Sequence, residues 1–427
     1  MSRRLVIVVR ADPVICGHSG EARNLAEAAL LRGFDDVRIV TWPIERLQAS
    51  GLPLKPLDEI SPYSPGIVVE RPAPVGDYKV PDGRYVAGIV GRLVELFTDG
   101  VPTVCLSLYL SPHTLAVAEA LRVAEGTGLP VNVVTIAEAV GSDITNVVRA
   151  AVAEDRFGAA AQVLGAYLDS DVCVAVSDYT KQLIVAAAEE LDARHGTRYA
   201  PQCRERVEVS YPAIDTTEYT NVAEEHRDQV LASRGLQAGR YVLYLSRLGR
   251  AKGVDDLIDG YASSEVRHHW PLVICGNGPE RESLHAYAER TGLGDRIMFL
   301  HDVSDAEKPA LMAGSLAYVL PSKPRPEFTE TFGIALVEAM LAGGGPVITC
   351  DTGGIGEAVG SHARFVPPSD PAAVATALDE TLLGLDADAR AAWSARARAH
   401  ALQFDRAPIF DSLLAKVDAV TALRAAS

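Results

Sequence analysis

Short apolar runs, each closed by a turn and followed by a stretch with helical spacing, recur along most of the chain. The run Leu5–Val9 predicts a buried strand. The loop ADPVICGHSGE follows, then a helix carried by Leu25, Ala28, Ala29 and Leu31 and closed at Gly33, then a strand over Val37–Thr41. Strand, helix and strand in that order open a Rossmann-like βαβ unit. Further on, VAGIVGRLVELF predicts a helix, VPTVCLSLYLS a strand, the segment from His113 a helix, VNVVTI a strand and AEAVGSD a loop. A strand over Val172–Val176, a helix after Ser177 and a short strand within Val207–Asp215 complete the first half. One interval breaks the rhythm. Between Pro53 and Arg84 stand Pro53, Pro56, Pro62, Pro65, Pro72, Pro74 and Pro81, too many for a helix or a central strand. Its tip, GDYKVPDGRY, mixes aromatic and charged side chains, which suits either a cover over a bound molecule or packing on the sheet.

The alternation restarts in the second half. YVLYLSRLGRAKGVDDLIDGYA predicts a strand ending at Arg247, a loop carrying Lys252 and a helix after Gly253. PLVICGNGPE predicts a strand ending in Gly276-Asn277-Gly278-Pro279, and RIMFL another, before a helix and a strand that leads into Pro321–Val359. That last stretch reads as loop, amphipathic helix, glycine break, strand and a further helix start. ARFVPP predicts a final strand, and helices run from Pro371 onward. The fold class is therefore α/β, with two Rossmann-like domains over 1–216 and 217–400 and a terminal helix over 401–427.

Length agrees with this division, since 427 residues exceed one ordinary core. Apolar content of 48% and charged content of 22% describe a soluble globular protein. A net charge of -16 argues against general nucleic-acid binding, though local Arg and Lys still decide whether an anionic ligand is held. The six cysteines are scattered without a C-x-x-C pair, as small reduced hydrophobes would be, and Cys16 alone falls in a loop. The opening segment lacks a signal-peptide pattern, and no apolar run reaches the roughly 20 residues of a membrane span. A cytoplasmic protein without integral membrane association is the expectation.

Candidate chemistry gathers at the predicted carboxyl ends of strands, where open α/β sheets bind ligands. Arg247 and Lys252 share one loop; the first offers a planar fork to phosphate oxygens, the second a mobile point charge. Glu330 and Glu338 are separated by seven residues, with Thr331, Phe332, Gly333 and Ile334 between them. The glycine admits a close ligand, and the helix that follows turns free N–H groups and its positive end toward an anion, with Glu338 expected about two turns after Glu330. Gly276 and Gly278 end another strand, without completing a dinucleotide fingerprint. In the first half, Gly17 and Gly20 form the turn into the first helix, while His113 and Glu138 are placed at strand ends. His113 reads equally well as a ligand group and as a helix cap or surface histidine. No His/Cys spacing suggests a metal. The D-x-D pairs Asp169/Asp171 and Asp386/Asp388 lie before a strand and among terminal helices, so chance accounts for them better.

The segment Pro321–Val359, with its E-x7-E, EAM, PVI and TGGI-x-EAV pieces, together with S-R-L-x-x-x-K-G, resembles retaining GT-B glycosyltransferases of family GT4. The resemblance extends over nearly the whole chain and is strongest from Tyr241 to Val359. It implies two Rossmann-like domains facing across a deep cleft, with the C-terminal helix packing back on the first. It implies retention of anomeric configuration without a metal or other cofactor, a UDP-, GDP- or ADP-linked sugar as donor, and a small-molecule acceptor such as a secondary metabolite or thiol. By position, Arg247 and Lys252 match the diphosphate clamp, Glu330 the contact to sugar hydroxyls, and Glu338 the contact to the ribose diol. The backbone of Phe332, Gly333 and Ile334 matches the sugar and phosphate cradle, and Val303 the base contact. The family's T-x-H-G turn reads TIAEAVGSD here, so Ala137-Glu138 replaces the histidine turn. The usual Asn-Gly near the domain boundary is replaced by Ala213-Ile214. A silent nucleotide-sugar-binding partner subunit, a sugar-nucleotide epimerase and a phosphorylase stand as alternatives, and a homo-oligomer is compatible with all of them.

Overall fold

The computed structural model describes residues 3–76 and 81–426. The chain forms two compact units: one takes in the sequence up to Ala213 and again from Arg406, the other Ile214–Asp405.

The first unit is built on a parallel sheet of seven strands, β1 (Arg4–Val8), β2 (Asp36–Val40), β3 (Ile67–Glu70), β4 (Thr103–Leu108), β5 (Val133–Ala139), β6 (Val172–Ala175) and β7 (Val207–Val209), in the order β3-β2-β1-β4-β5-β6-β7. Continuous apolar runs suit such strands because helices cover both faces. On one face Leu25, Ala28 and Ala29 of the helix Gly17–Leu31 pack with Ile39, Val104 and Ile136. On the other, Ile89, Leu93 and Phe97 of the helix Pro81–Thr98 meet Val6, Val8 and Cys105. The helix Arg406–Ala426 belongs to this unit. Its Phe410 lies edge-on to Phe34 at 5.8 Å, Leu413 and Val417 join the same core, and Asp411 pairs with Arg32 at 2.7 Å.

Two expectations need revision here. The proline-rich interval contains β3, a strand the prolines obscured. It is four residues long and lies at the sheet edge, between Pro65 and Pro72, so no proline has to donate to the ladder. Buried Asp12 pins the interval from beneath, accepting from Lys55 at 3.0 Å, Arg23 at 2.9 Å and the Tyr63 hydroxyl at 3.0 Å. Residues 77–80 of the GDYKVPDGRY tip lie outside the described residues. The second revision concerns AEAVGSD, which is not wholly loop. β5 continues through Ala139, and Glu138 pairs in register with Leu108 and Val174. The surroundings of Ala137 and Ala139 are apolar and closed, so the backbone stays in the ladder despite the carboxylate between them.

The second unit carries a parallel sheet of six strands: β8 (Val242–Leu245), β9 (Leu272–Cys275), β10 (Ile297–Leu300), β11 (Ala317–Leu320), β12 (Val347–Cys350) and β13 (Ala363–Val366), in the order β10-β9-β8-β11-β12-β13. The units divide at 213/214 and 405/406, against 216/217 and 400/401 expected from the sequence. Within the second unit the two crossing points are joined. The Ile214 amide donates to the Phe404 carbonyl at 3.0 Å, and the Thr216 hydroxyl to Asp405 at 2.6 Å. No helix among the described residues is long and apolar enough to cross a membrane.

Candidate active site

In the second unit, β8 ends at Leu245 and the chain enters a loop whose shape is fixed by its neighbours. The Tyr244 hydroxyl donates to the Arg247 carbonyl at 3.0 Å, and the Leu248 amide to the Asn277 carbonyl at 2.9 Å. Gly276 and Gly278 face this loop rather than open space: a Cβ on either would fall 2.0 Å from the Ser246 carbonyl oxygen or 2.2 Å from that of Leu248. Their role here is to let two backbones touch. The Arg247 side chain is exposed and pairs with no carboxylate among the described residues.

Lys252 closes a short turn, Arg250–Lys252, and its ammonium pairs with Glu330, both side chains being largely buried at 14% and 11% exposure. The pair is built from two sides. The Lys323 amide donates to the Ala251 carbonyl at 2.8 Å, while its buried ammonium sits 2.8 Å from Asp255 and 2.9 Å from Asp256 at the start of the helix Val254–Ser263. The Glu330 carbonyl accepts from the Gly354 amide at 2.9 Å, and Gly353 and Gly354 come so close that a Cβ on either would fall 2.0 Å from the Glu330 or Thr331 carbonyl oxygen. Phe332 is buried edge-on to Phe404 at 5.1 Å, which anchors the loop next to Thr331. Gly333 caps the helix Ile334–Ala342, so the amides of Ile334 and Ala335 open its first turn four residues after Glu330, while that of Leu336 donates to the Gly333 carbonyl at 2.9 Å.

Glu338 is the fifth residue of that helix, little more than one turn from its start; the expected two turns counted loop residues as helical. It accepts a hydrogen bond from the Tyr219 hydroxyl, with Lys308 and Asp305 as charged neighbours. Burial raises the Glu338 carboxyl above the usual range against the pull of Lys308 and Tyr219. Glu218 is pushed up to about 7, by local desolvation first and then by the charges of Glu338, Asp215 and Asp305. Val303 follows β10 in a half-buried turn, and His301 beside it ties β10 to the β9 loop through a 2.7 Å contact with the Gly276 carbonyl.

These raised carboxyls set a pH dependence. A proton held more tightly in the folded than in the unfolded state stabilises the fold fully below the ordinary carboxylate range, and that stabilisation is lost as pH rises, for Glu218 through about 7. The midpoint of thermal unfolding of the wild type is therefore expected to fall between about pH 5 and about pH 8, and the Glu218→Gln and Glu338→Gln proteins to show a flatter profile. A wild-type midpoint that rises across this interval contradicts the assignment.

In the first unit, Gly17 begins the first helix and Gly20 is exposed on its first turn. His113 is neither a surface group nor a cap. It is 1% exposed, with Nδ1 on the Leu108 carbonyl at 2.7 Å and Nε2 accepting from the Trp42 indole at 3.1 Å, and burial holds its pKa down to about 3. Both ring nitrogens are thus engaged and the imidazole is neutral. Glu138 is 1% exposed and its carboxyl is in hydrogen-bond contact with that of Glu21. The D-x-D aspartates have structural work: Asp171 accepts from the Thr135 amide at 2.8 Å and pairs with Arg424, and Asp386 caps the helix Ala387–Ala401. Among the described residues no three His, Cys, Asp or Glu side chains gather as a metal site would.

Lys323, Tyr219 and the Gly353-Gly354 pair were not singled out by sequence reasoning. The glycines lie within the TGGI-x-EAV piece and were readable as a motif; Lys323 and Tyr219 gain their meaning only from partners distant in sequence.

Residues 229–400 match the family model of glycosyl transferases group 1. The D-rhamnosyltransferase WbpZ of Pseudomonas aeruginosa is 32% identical over 180 residues, 42% of this chain and 44% of its own. The GDP-mannose-dependent α-(1-6)-phosphatidylinositol monomannoside mannosyltransferase of Mycolicibacterium smegmatis is 30% identical over 221 residues, 50% of this chain and 53% of its own. The chain thus spans about half the length of the curated relatives it matches. Among solved structures, HepE of Anabaena in complex with UDP and glucose aligns with a TM-score of 0.69 at 19% identity, covering 97% of this chain and 99% of that one. At that identity the likeness shows the fold, two Rossmann-like units of the GT-B class.

Proposed function

We propose, from the match of residues 229–400 to the glycosyl transferases group 1 model, that the protein transfers a sugar from a nucleotide diphosphate donor to a small-molecule acceptor, with retention and without a metal. The observation that carries this reading is the buried Lys252–Glu330 pair set directly before the free N–H groups of the helix Ile334–Ala342. A cation, a carboxylate and a helix start then share one loop system. That is the equipment for a ligand with phosphate at one end and hydroxyls at the other.

In the reaction the bond from the anomeric carbon to the diphosphate oxygen breaks, leaving a cation-like sugar and a growing negative charge on the phosphate. Lys252, Arg247 and the helix N–H groups meet that charge with preorganised positive ends. Glu330 orients sugar hydroxyls where positive character develops, and Glu338 holds the ribose diol. The acceptor attacks the face from which the phosphate departs, and its proton passes to the phosphate oxygen. Among relatives, the GDP-mannose dependence of the mycobacterial enzyme and the UDP in HepE support a nucleotide-sugar donor.

The test has two stages. A panel of UDP-, GDP- and ADP-sugars is screened by thermal shift, where a specific donor raises the unfolding midpoint. NMR of the product from an α-linked donor then reads the stereochemistry, with activity measured in EDTA. An α-linked product formed in EDTA is expected. A β-linked product overturns retention, loss of activity restored by Mg²⁺ overturns metal independence, and binding without turnover or donor hydrolysis identifies a silent binder.

A further inference from the structure

Beneath the first turn of the helix Gly17–Leu31 lies a group of side chains that donor chemistry leaves unused. Glu21 and Glu138 are 2% and 1% exposed, and their carboxyls are in hydrogen-bond contact. Glu21 Oε1 accepts from the Ala213 amide at 3.3 Å. Among the described residues Glu21 Oε2 and Glu138 Oε1 have no hydrogen-bond partner, and neither has His18 Nδ1, which stands 3.8 Å from Glu21 Oε2. The neighbours do not relieve them. Asp143 is spent on the amides of Leu110, Gly141 and Ile144, each at 2.9 Å. His113 is neutral and fully bonded, and Arg10 lies over the Tyr109 ring at 4.8 Å.

A carboxyl buried against a second one resists ionising, and here that carboxyl is Glu138. Burial, then the charges of Glu21 and Asp143, raise the Glu138 carboxyl well above the usual range. Unmet buried oxygens cost free energy unless something donates to them. A neutral hydroxyl can donate to a carboxylate, as in the roles given to Glu330 and Glu338, but it brings no positive charge to two acids buried side by side. An ammonium group supplies what is missing, with several N–H donors for the two oxygens and a positive charge that lets the Glu138 proton leave. His18, half-buried at the rim, covers the pair by a contact too long to be a hydrogen bond, so little is lost when it turns aside.

We propose that the Glu21–Glu138 pair, with His18 at its rim, binds a protonated amine on a small molecule, and that this molecule is the acceptor. Only the word acceptor rests on the transferase reading. On binding, the R–NH₃⁺ group keeps its three protons, the Glu138 carboxyl ionises, and its proton passes to solvent.

The experiment is calorimetric titration of the full chain at neutral pH with 2-deoxystreptamine, glucosamine and spermidine, and with neutral myo-inositol for comparison. At least one amine is expected to bind at least about tenfold more tightly than myo-inositol. Its heat is expected to vary with the ionisation enthalpy of the buffer, as release of about one proton requires. Glu138→Gln and Glu21→Gln should each weaken that binding about tenfold or more, and thermal melts report whether each variant is folded. Amines that bind no better than myo-inositol, or as well to folded Glu138→Gln or Glu21→Gln, overturn the proposal. UDP-glucose and GDP-mannose are titrated separately. Donor binding without amine binding sinks the amine site alone; amine binding without donor binding sinks the transferase reading alone.

Discussion

Lys252→Ala is expected to lower turnover by about three orders of magnitude and also to lower the unfolding midpoint, whereas Arg247→Ala lowers turnover alone. The difference follows from what each side chain touches. Arg247 is exposed and has no carboxylate partner among the described residues, so removing it leaves nothing stranded. Lys252 is buried against Glu330, and its loss leaves a largely buried carboxylate unpaired. Breaking a buried pair from one side costs about 3–5 kcal/mol in the general case. For a unit of this size that corresponds to a drop of roughly 6 °C or more. The double variant Lys252→Ala/Glu330→Gln removes the stranded charge and should recover most of the midpoint while turnover stays low. Wild-type turnover in both Arg247→Ala and Lys252→Ala sinks the diphosphate clamp. A double variant as unstable as Lys252→Ala sinks the account of the ion pair.

Gly354→Ala is expected to abolish donor-dependent turnover without any change to a charged group. A Cβ there would fall 2.0 Å from the Thr331 carbonyl oxygen and 2.6 Å from its carbon, both backbone atoms that no rotamer change can move. The 329–332 backbone must give way, and with it the 2.9 Å bond from the Gly354 amide to the Glu330 carbonyl. Glu330 then no longer meets Lys252, and a misplacement of about 1 Å is enough to cost around a hundredfold in rate. Gly294→Ala is the control, since a Cβ there has nothing within 4 Å. Nucleotide-sugar titration alongside the rate measurement separates a displaced loop from an unfolded unit. Turnover in Gly354→Ala within a factor of about two of the control contradicts the close approach.

Much of this was legible from residue order. Leu5–Val9 could only be a buried strand, and the spacing of Arg247, Lys252, Glu330 and Glu338 marks one region by residue order alone. What escaped did so for physical reasons. β3 is four residues set among prolines, and its strand character comes from Arg38 and Val40 of β2 offering a ladder at the edge. Glu138 read as loop because a carboxylate is rare inside a closed parallel strand; only its contact with Glu21 makes the position intelligible. His113 looked like a strand-end ligand because nothing in sequence announces that the Trp42 indole and the Leu108 carbonyl meet at its ring. Gly276 and Gly278 read only as an incomplete dinucleotide fingerprint, whereas their smallness serves the 246–248 backbone that lies against them. Sequence marks where a side chain must be small or charged; it does not say which distant segment imposes that demand.

The helix Arg406–Ala426 follows the whole of the second unit in sequence yet completes the core of the first around Phe34, Val37 and Ile39. During synthesis the segment Ile214–Asp405 leaves the ribosome as one continuous piece and holds every strand of its own sheet. The earlier unit emerges first but must wait for the final helix before Phe34 is covered by Phe410. The order of maturation is thus the reverse of the order of emergence. Until Phe410 arrives, an apolar strip on the nascent sheet is open to chaperones, and a chain cut short before it leaves the earlier unit without that cover.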